Sequence, residues 1–185
     1  MSTTSLLLKE TWLTPDEVRV NPIDWTIAAW GRALTNKMLI PLEIHIGSDS
    51  QRTRKRKLAI ATVIAVRTTR GTEYIYFKEI VSRKKFPEEG LWIMEEIQRT
   101  MEVAVDFQER LDYIPIHVDF DINPVQSELF ISNRYKSLAI GWAKGAGFDT
   151  SQIHIKPDNQ VATKAADSHA RIKSKKGRII ERNFS

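Results

Sequence analysis

Between residues 42 and 81 the chain carries three β-rich runs separated only by short connections. Leu42, Ile44 and Ile46 alternate with Glu43, His45 and Gly47, the two-residue period of a half-buried strand. Leu58 to Val66 is a second apolar run, and Tyr74-Ile75-Tyr76-Phe77-Lys78-Glu79-Ile80-Val81 is a third, following a turn at Arg70-Gly71-Thr72. Strands joined this closely pair as an antiparallel meander, so the rest of the chain has to pack on that sheet. The first strand runs out through Gly47-Ser48-Asp49-Ser50. Those residue types dominate ordinary turns. They also present the Asp49 carboxylate beside unhindered backbone at the end of a rigid strand, a good place for a metal ligand.

The segments around the meander read as helices and two further strands. Thr14-Pro15-Asp16-Glu17 has the form of a helix start, with Thr as N-cap and Pro at the first helical position, and Asn21-Pro22 repeats it. Ile23, Ile27, Trp30 and Leu34 mark an amphipathic packing helix from about Pro22 to Thr35. A helix from Glu88 to about Leu111 has the stripe Ile93, Ile97, Thr100, Ala104, Phe107 and Leu111. Glu96 lies on the flank of that stripe, whereas Glu95 and Glu102 point away. A carboxylate carried towards a sheet needs a cation, a metal or an open cleft; pairing with a neighbouring Lys or Arg is the plainer account. Ile114, Ile116, Val118 and Phe120 form one face of a fourth strand, and His117, Asp119 and Asp121 the other. Two acidic residues on one face of a core strand favour metal coordination by at least one of them. Residues 125–146 read as a helix closed by Gly145-Ala146-Gly147, Gln152 to Lys156 as a short strand, and the segment from Val161 as a last helix carrying Asp167.

The sequence of 185 residues, 42% hydrophobic with five Trp, suffices for one folded domain and makes disorder an unsuitable reading. The division expected is an arm and packing helix over 1–40, a domain over 41–172 and a basic tail over 173–185. No apolar run reaches the roughly 20 residues of a membrane span, and the absence of cysteine excludes disulfides and thiolate metal sites and fits a cytoplasmic protein. A net charge of +5 with a pI near 9.5 favours a polyanionic partner. Arg52, Arg54, Lys55, Arg56 and Lys57 crowd the first hairpin loop beside Asp49, and Lys84 and Lys85 form a second basic loop. Such runs are commonly solvated surface, but beside a carboxylate site they suit contact with a phosphate backbone.

The resulting order is strand, strand, strand, helix, strand, helix, strand, helix. Its carboxylates fall at the end of the first strand, on the first long helix, on the fourth strand and on the last helix. In this the chain resembles the ribonuclease-H-like superfamily, and more closely the bacterial YkuK family of ribonuclease-H-like proteins. The resemblance runs from about Ile44 to Ala170. It rests on Ile46-Gly47-Ser48-Asp49-Ser50-Gln51, on Glu96 six residues before Glu102-Val103-Ala104, on His117-Val118-Asp119, and on Lys156-Pro157 followed by Ala166-Asp167. Ser48 stands where Thr is usual. Asp121, two residues after Asp119, leaves open which of the two is the ligand. The resemblance implies an α/β fold: a mixed five-stranded sheet, βββαβαβα, flanked by helices, here with an extra N-terminal helical segment. It also implies a divalent-metal site of Asp49, Glu96, Asp119 and Asp167.

Such carboxylates are hard ligands suited to Mg²⁺ or Mn²⁺. Two ions would support hydrolysis of a nucleic-acid phosphodiester, RNA, hybrid and DNA being equally open. His169, His117 and His45 are proton-relay candidates, although a lone His near a sheet is more often a structural donor. The rival reading is a nucleic-acid-binding or regulatory module that keeps the fold without turnover. A phosphatase built on Asp119-Phe120-Asp121 fits poorly, since that pattern wants Thr or Val where the chain has Asn123. No oligomeric interface can be read from the sequence.

Overall fold

The structure, a computed structural model, describes residues 8, 10–36, 40–53, 57–82, 84, 87–123, 134–157 and 161–171. In chain order its elements are β1 (Trp12–Leu13), β2 (Arg19–Val20), α1 (Pro22–Thr35), β3 (Pro41–Arg52), β4 (Lys57–Thr68) and β5 (Gly71–Ser82). They continue with α2 (Glu89–Arg110), β6 (Ile116–Phe120), α3 (Lys136–Gly145), a 3-10 turn at Thr150–Gln152, β7 (Ile153–Ile155) and α4 (Val161–Ala170). The described strands form one seven-stranded sheet in the order β2-β1-β5-β4-β3-β6-β7. The expected meander is present, with β3, β4 and β5 antiparallel. Beyond it β6 joins β3 in parallel and β7 joins β6 in parallel.

The sheet therefore has seven strands rather than five, and the order of elements differs from βββαβαβα. That order holds only from β3 onwards, interrupted by the 3-10 turn and preceded by ββα. The cause lies at Thr14-Pro15-Asp16-Glu17, which opens no helix. The Thr14 hydroxyl accepts from the Val18 amide at 3.2 Å, and the Thr14 amide donates to the Val18 carbonyl at 2.9 Å. With Glu17 at a φ of 63°, these bonds close a hairpin that pairs Trp12 with Val20 and lays Leu13 beside Tyr76 at the β5 edge.

The extra helical segment is α1, capped as its sequence demands: the Asn21 side chain accepts from the amides of Ile23 and Asp24. Its buried face overlaps the expected stripe only in part: Ile23 and Trp30 pack against the main core. Pro22, Thr26, Ala29 and Ala33 are buried, while Ile27 and Leu34 are 44% and 64% exposed. Small side chains let the helix axis approach the sheet closely, and the Thr26 hydroxyl is satisfied by the Pro22 carbonyl at 2.7 Å. On α2 the expected stripe is buried throughout. Ile93, Ile97, Met101, Ala104 and Phe107 pack with Ile44, Ile46, Ile64, Ile75 and Phe77 in the main core, which also takes Ala29 of α1 and Ala139 and Ala143 of α3. Of the helix expected over residues 125–146, the described part is α3; residues 124–133 lie outside the described residues.

The opposite face of the sheet belongs to α4. Ala162, Ala166 and Ala170 lie against Ala61, Val63, Ala65 and Tyr76. The approach is closest at Gly47, where an added Cβ would stand 2.9 Å from Thr163 Cγ2 and 3.0 Å from the Asp119 carbonyl oxygen. Gly47 is thus required for space. No described helix is long and apolar enough to cross a membrane.

Candidate functional site

β3 and β6 run side by side in the same direction, with Gly47 opposite Asp119 and Ser48 opposite Phe120. Continuing that register one step brings Asp49, which lies within β3 opposite Ala61 of β4 rather than at the strand's end, beside Asp121, the first residue after β6. Asp49 shares with His45 and Gly47 the face under α4, because side chains alternate along a strand. From α4 comes Asp167, accepting from Gln51 Nε2 at 3.0 Å and from Arg171, one turn on, at 2.6 and 3.0 Å. Glu96 arrives on α2 from the other side of the sheet, where the Ser50 hydroxyl donates to Oε1 at 2.5 Å. Asp121 is ion-paired with Lys156.

Four carboxylates from four parts of the chain thus meet, and their electrostatics show it. Asp49 is pushed up to about 7, first by burial, then by the charge of Asp121 and by Asp167, to which it is also hydrogen-bonded; the Ser50 amide opposes the shift. Glu96 lies well above the ordinary carboxyl range, again through burial first and then through the charges of Asp49 and Asp121, against the hydrogen bond from Ser50. Carboxylates that raise one another's pKa in this way are a ready cradle for a cation.

Asp119 is not part of this meeting. Fully buried, it takes His45 Nδ1 on Oδ1 at 2.8 Å and the Ala162 amide on Oδ2 at 2.7 Å. Around it stands a second cluster. His45 Nε2 lies 3.1 Å from Glu43 Oε1, His117 Nε2 3.3 Å from Glu43 Oε2, and Arg67 donates to Glu43 at 2.8 Å. His117 Nδ1 and His154 Nε2 are 2.8 Å apart. The three rings sit at centroid separations of 5.1 to 5.2 Å. Burial alone would lower the His45 pKa, but the hydrogen bond and charge of Asp119, with Glu43, raise it. Among the described residues, one set of three ligand atoms lies mutually within 4.8 Å, and it belongs to His45, Asp119 and His154. The chain therefore holds a candidate metal-binding group distinct from the four carboxylates. Sequence reading passed over Glu43 and His154. The alternation in Ile153-His154-Ile155 gives His154 a face, but its neighbours depend on the β6–β7 pairing, which has no local signal.

Of the basic residues, Arg52 ends β3 and Lys57 opens β4, at the end of the sheet that carries Asp49. The Arg52 guanidinium lies over the Trp92 ring at 4.6 Å and pairs with Glu89 at 3.2 Å. Lys57 is in register with Ser82, and Lys84, two residues on, is exposed. Arg54, Lys55, Arg56 and Lys85 lie outside the described residues. His169 is stacked on Tyr76 at 3.8 Å with Nε2 3.2 Å from the Tyr74 hydroxyl, so its ring is held at β5 rather than among the carboxylates.

The chain matches the family model described as ribonuclease H-like over residues 32–171, about three quarters of its length. No curated protein and no solved structure matches it.

Proposed function

The chain belongs to the ribonuclease H-like superfamily and its YkuK-like family, and from that premise we propose that it is a metal-dependent nuclease hydrolysing the phosphodiester bonds of nucleic acid. The observation that carries the reading is the convergence of Asp49, Glu96, Asp121 and Asp167: burial first, then the charges of Asp121 and Asp167, hold Asp49 at about 7, and Asp49 and Asp121 act in turn on buried Glu96. The donors are all carboxylate oxygens, which fits Mg²⁺ or Mn²⁺. Bound there, two such ions would activate a water and stabilise the leaving oxygen of an in-line displacement.

Asp49, within β3, and Asp121, the residue after β6, hold the centre from rigid backbone. Asp121 takes the place beside Asp49 that Asp119, bound to His45 and Ala162, leaves to it. Glu96 completes one side, oriented by Ser50, and Asp167 the other, oriented by Gln51 and Arg171. Lys156 balances the charge of Asp121. Arg52, Arg54, Lys55, Arg56, Lys57, Lys84 and Lys85 bind the phosphate backbone, which favours weak sequence preference. A module that binds nucleic acid without turnover is the second reading. What favours it is that Asp121 and Asp167 already have cationic partners in Lys156 and Arg171.

Labelled RNA, RNA–DNA hybrid, single-stranded DNA and a four-way junction, incubated with Mg²⁺ or Mn²⁺, test the proposal. Cleavage of one substrate is expected, lost by 10²-fold or more in Asp49→Asn and in Asp121→Asn. Salt-sensitive binding with no cleavage would instead establish the binding module. Cleavage that survives both substitutions would remove the carboxylates from the chemistry.

A further inference from the structure

We propose that His45, Asp119 and His154 form a separate site for a transition-metal cation of the zinc type, which fastens β3, β6 and β7 together. Their ligand atoms lie mutually within 4.8 Å. Donors around a zinc ion, each about 2.0–2.2 Å from it, stand roughly 3.5 Å apart, so side-chain adjustment alone closes the site.

The hydrogen bonds around the cluster aim its nitrogens inward. Glu43 Oε1 is hydrogen-bonded to His45 Nε2 at 3.1 Å, its Oε2 stands 3.3 Å from His117 Nε2, and it is itself fixed by Arg67. With their outer nitrogens facing Glu43, both rings turn Nδ1 to the interior: His45 towards Asp119, His117 towards His154. A carboxylate behind a histidine is the usual support of a metal ligand, fixing its tautomer and raising its basicity. Asp119 is fixed in the same way, since its second oxygen takes the Ala162 amide at 2.7 Å. The ring nitrogens of His117 and His154, 2.8 Å apart, share a hydrogen bond, which makes His117 an outer partner of His154.

The donor set selects the metal. Imidazole suits zinc and its neighbours rather than Mg²⁺ or Ca²⁺, and with no cysteine in the chain a zinc-type ion has only nitrogen and oxygen donors to choose from. The site is also set back from the carboxylates. His45 precedes Asp49 by four residues on one strand, about 13 Å at ~3.3 Å per residue. β6 and β7 are short, five and three residues, and a cation would tie both to the longer β3.

Full-length protein stripped with a chelator and reloaded with Zn²⁺ or Co²⁺ decides the matter. Wild type should keep about one equivalent of Zn²⁺ through desalting, and Co²⁺ should give the intense visible absorption of a nitrogen-ligated, low-coordinate site. His117→Gln should weaken binding ~10–100-fold as an outer partner, and His154→Gln by more; Asp49→Asn should leave it unchanged. Retention lost in Asp49→Asn and kept in His154→Gln would overturn the proposal. So would a weak six-coordinate oxygen-type Co²⁺ spectrum in wild type, which settles the question even if His154→Gln fails to fold, or a folded wild type that retains no metal. None of these readings depends on nuclease activity, so either proposal can fail alone.

Discussion

Asp49 and Glu96 are kept partly out of water and beside other carboxylates, so each favours its protonated form in the folded protein. This has a definite sign. Asp49 has a folded value of about 7 against an ordinary 3.8, and between these pH values the native state binds more protons than the unfolded one. Stability must then fall as pH rises through that window, and level off above it. Metal-free protein should melt at a lower temperature at pH 8 than at pH 5. A difference of about 5–10 °C is expected from a few kcal/mol in a chain of this length. Mg²⁺ or Mn²⁺ should recover most of it at pH 8, and Asp49→Asn should flatten the dependence. A metal-free melting temperature that climbs from pH 5 to pH 8 would contradict the crowded-carboxylate account. At this scale the sequence was legible as far as residue type and face. Pleat parity placed Asp119 and Asp121 together on one face, opposite Ile116 and Val118. It could not tell that β6 runs parallel to β3 with Gly47 opposite Asp119, and that pairing is what sends Asp121 to Asp49 and Asp119 to His45.

An element occupies its place through the side chains that limit how near it can come, and α4 shows this most sharply. The helix carries little apolar bulk; its Ala162, Ala166 and Ala170 meet the small residues Ala61 and Ala65, and its first turn rests on Gly47. Gly47→Ala would put a methyl group 2.9 Å from Thr163 Cγ2 and 3.0 Å from backbone, and backbone cannot rotate away. The cost should be about 1–3 kcal/mol, read as a lower denaturant midpoint with an unchanged slope. Metal affinity at the carboxylates should fall too, since α4 carries Asp167. An alanine variant as stable as wild type would mean that α4 is free to shift. Helix recognition from sequence worked where bulky residues marked the buried face, as on α2. It placed the face of α1 only in part: Ile23 and Trp30 pack against the core, but Ile27 and Leu34 stay exposed and Ala29 and Ala33 go inward. Hydrophobic periodicity weighs alanine lightly, although close packing prefers it. Thr14-Pro15 misled for a related reason: the same hydroxyl that caps a helix also closes a turn.

For the molecule as a whole, the central question is whether the N-terminal hairpin is an ornament or part of the cooperative unit. Trp12 is fully buried, its ring 6.1 Å from Phe77, and it belongs to the same core as Ile97 of α2 and Phe120 of β6. Leu13 extends the sheet at the β5 edge, so β1 also covers main-chain groups that an edge strand would otherwise offer to another chain. The core thus runs unbroken from residue 8 to the far edge of the sheet. The sequence reading set residues 1–40 apart as an arm and packing helix, and cooperative unfolding is the test of that division. A core shared in this way unfolds together. Trp12→Ala should remove about 3–5 kcal/mol, lowering the midpoint of a single transition by some 6–20 °C, with far-UV circular dichroism and tryptophan fluorescence still coincident. Two separated transitions, or a shift under 1 °C, would show instead that the hairpin rests on a domain already complete without it. The single-transition outcome carries a consequence for the site. Phe77 and Ile64 support the strands that α2 packs upon, and α2 brings Glu96 to Asp49, so loosening the hairpin should weaken metal binding some distance away. Titrating Mn²⁺ into Trp12→Ala at a temperature where it remains folded measures that coupling directly.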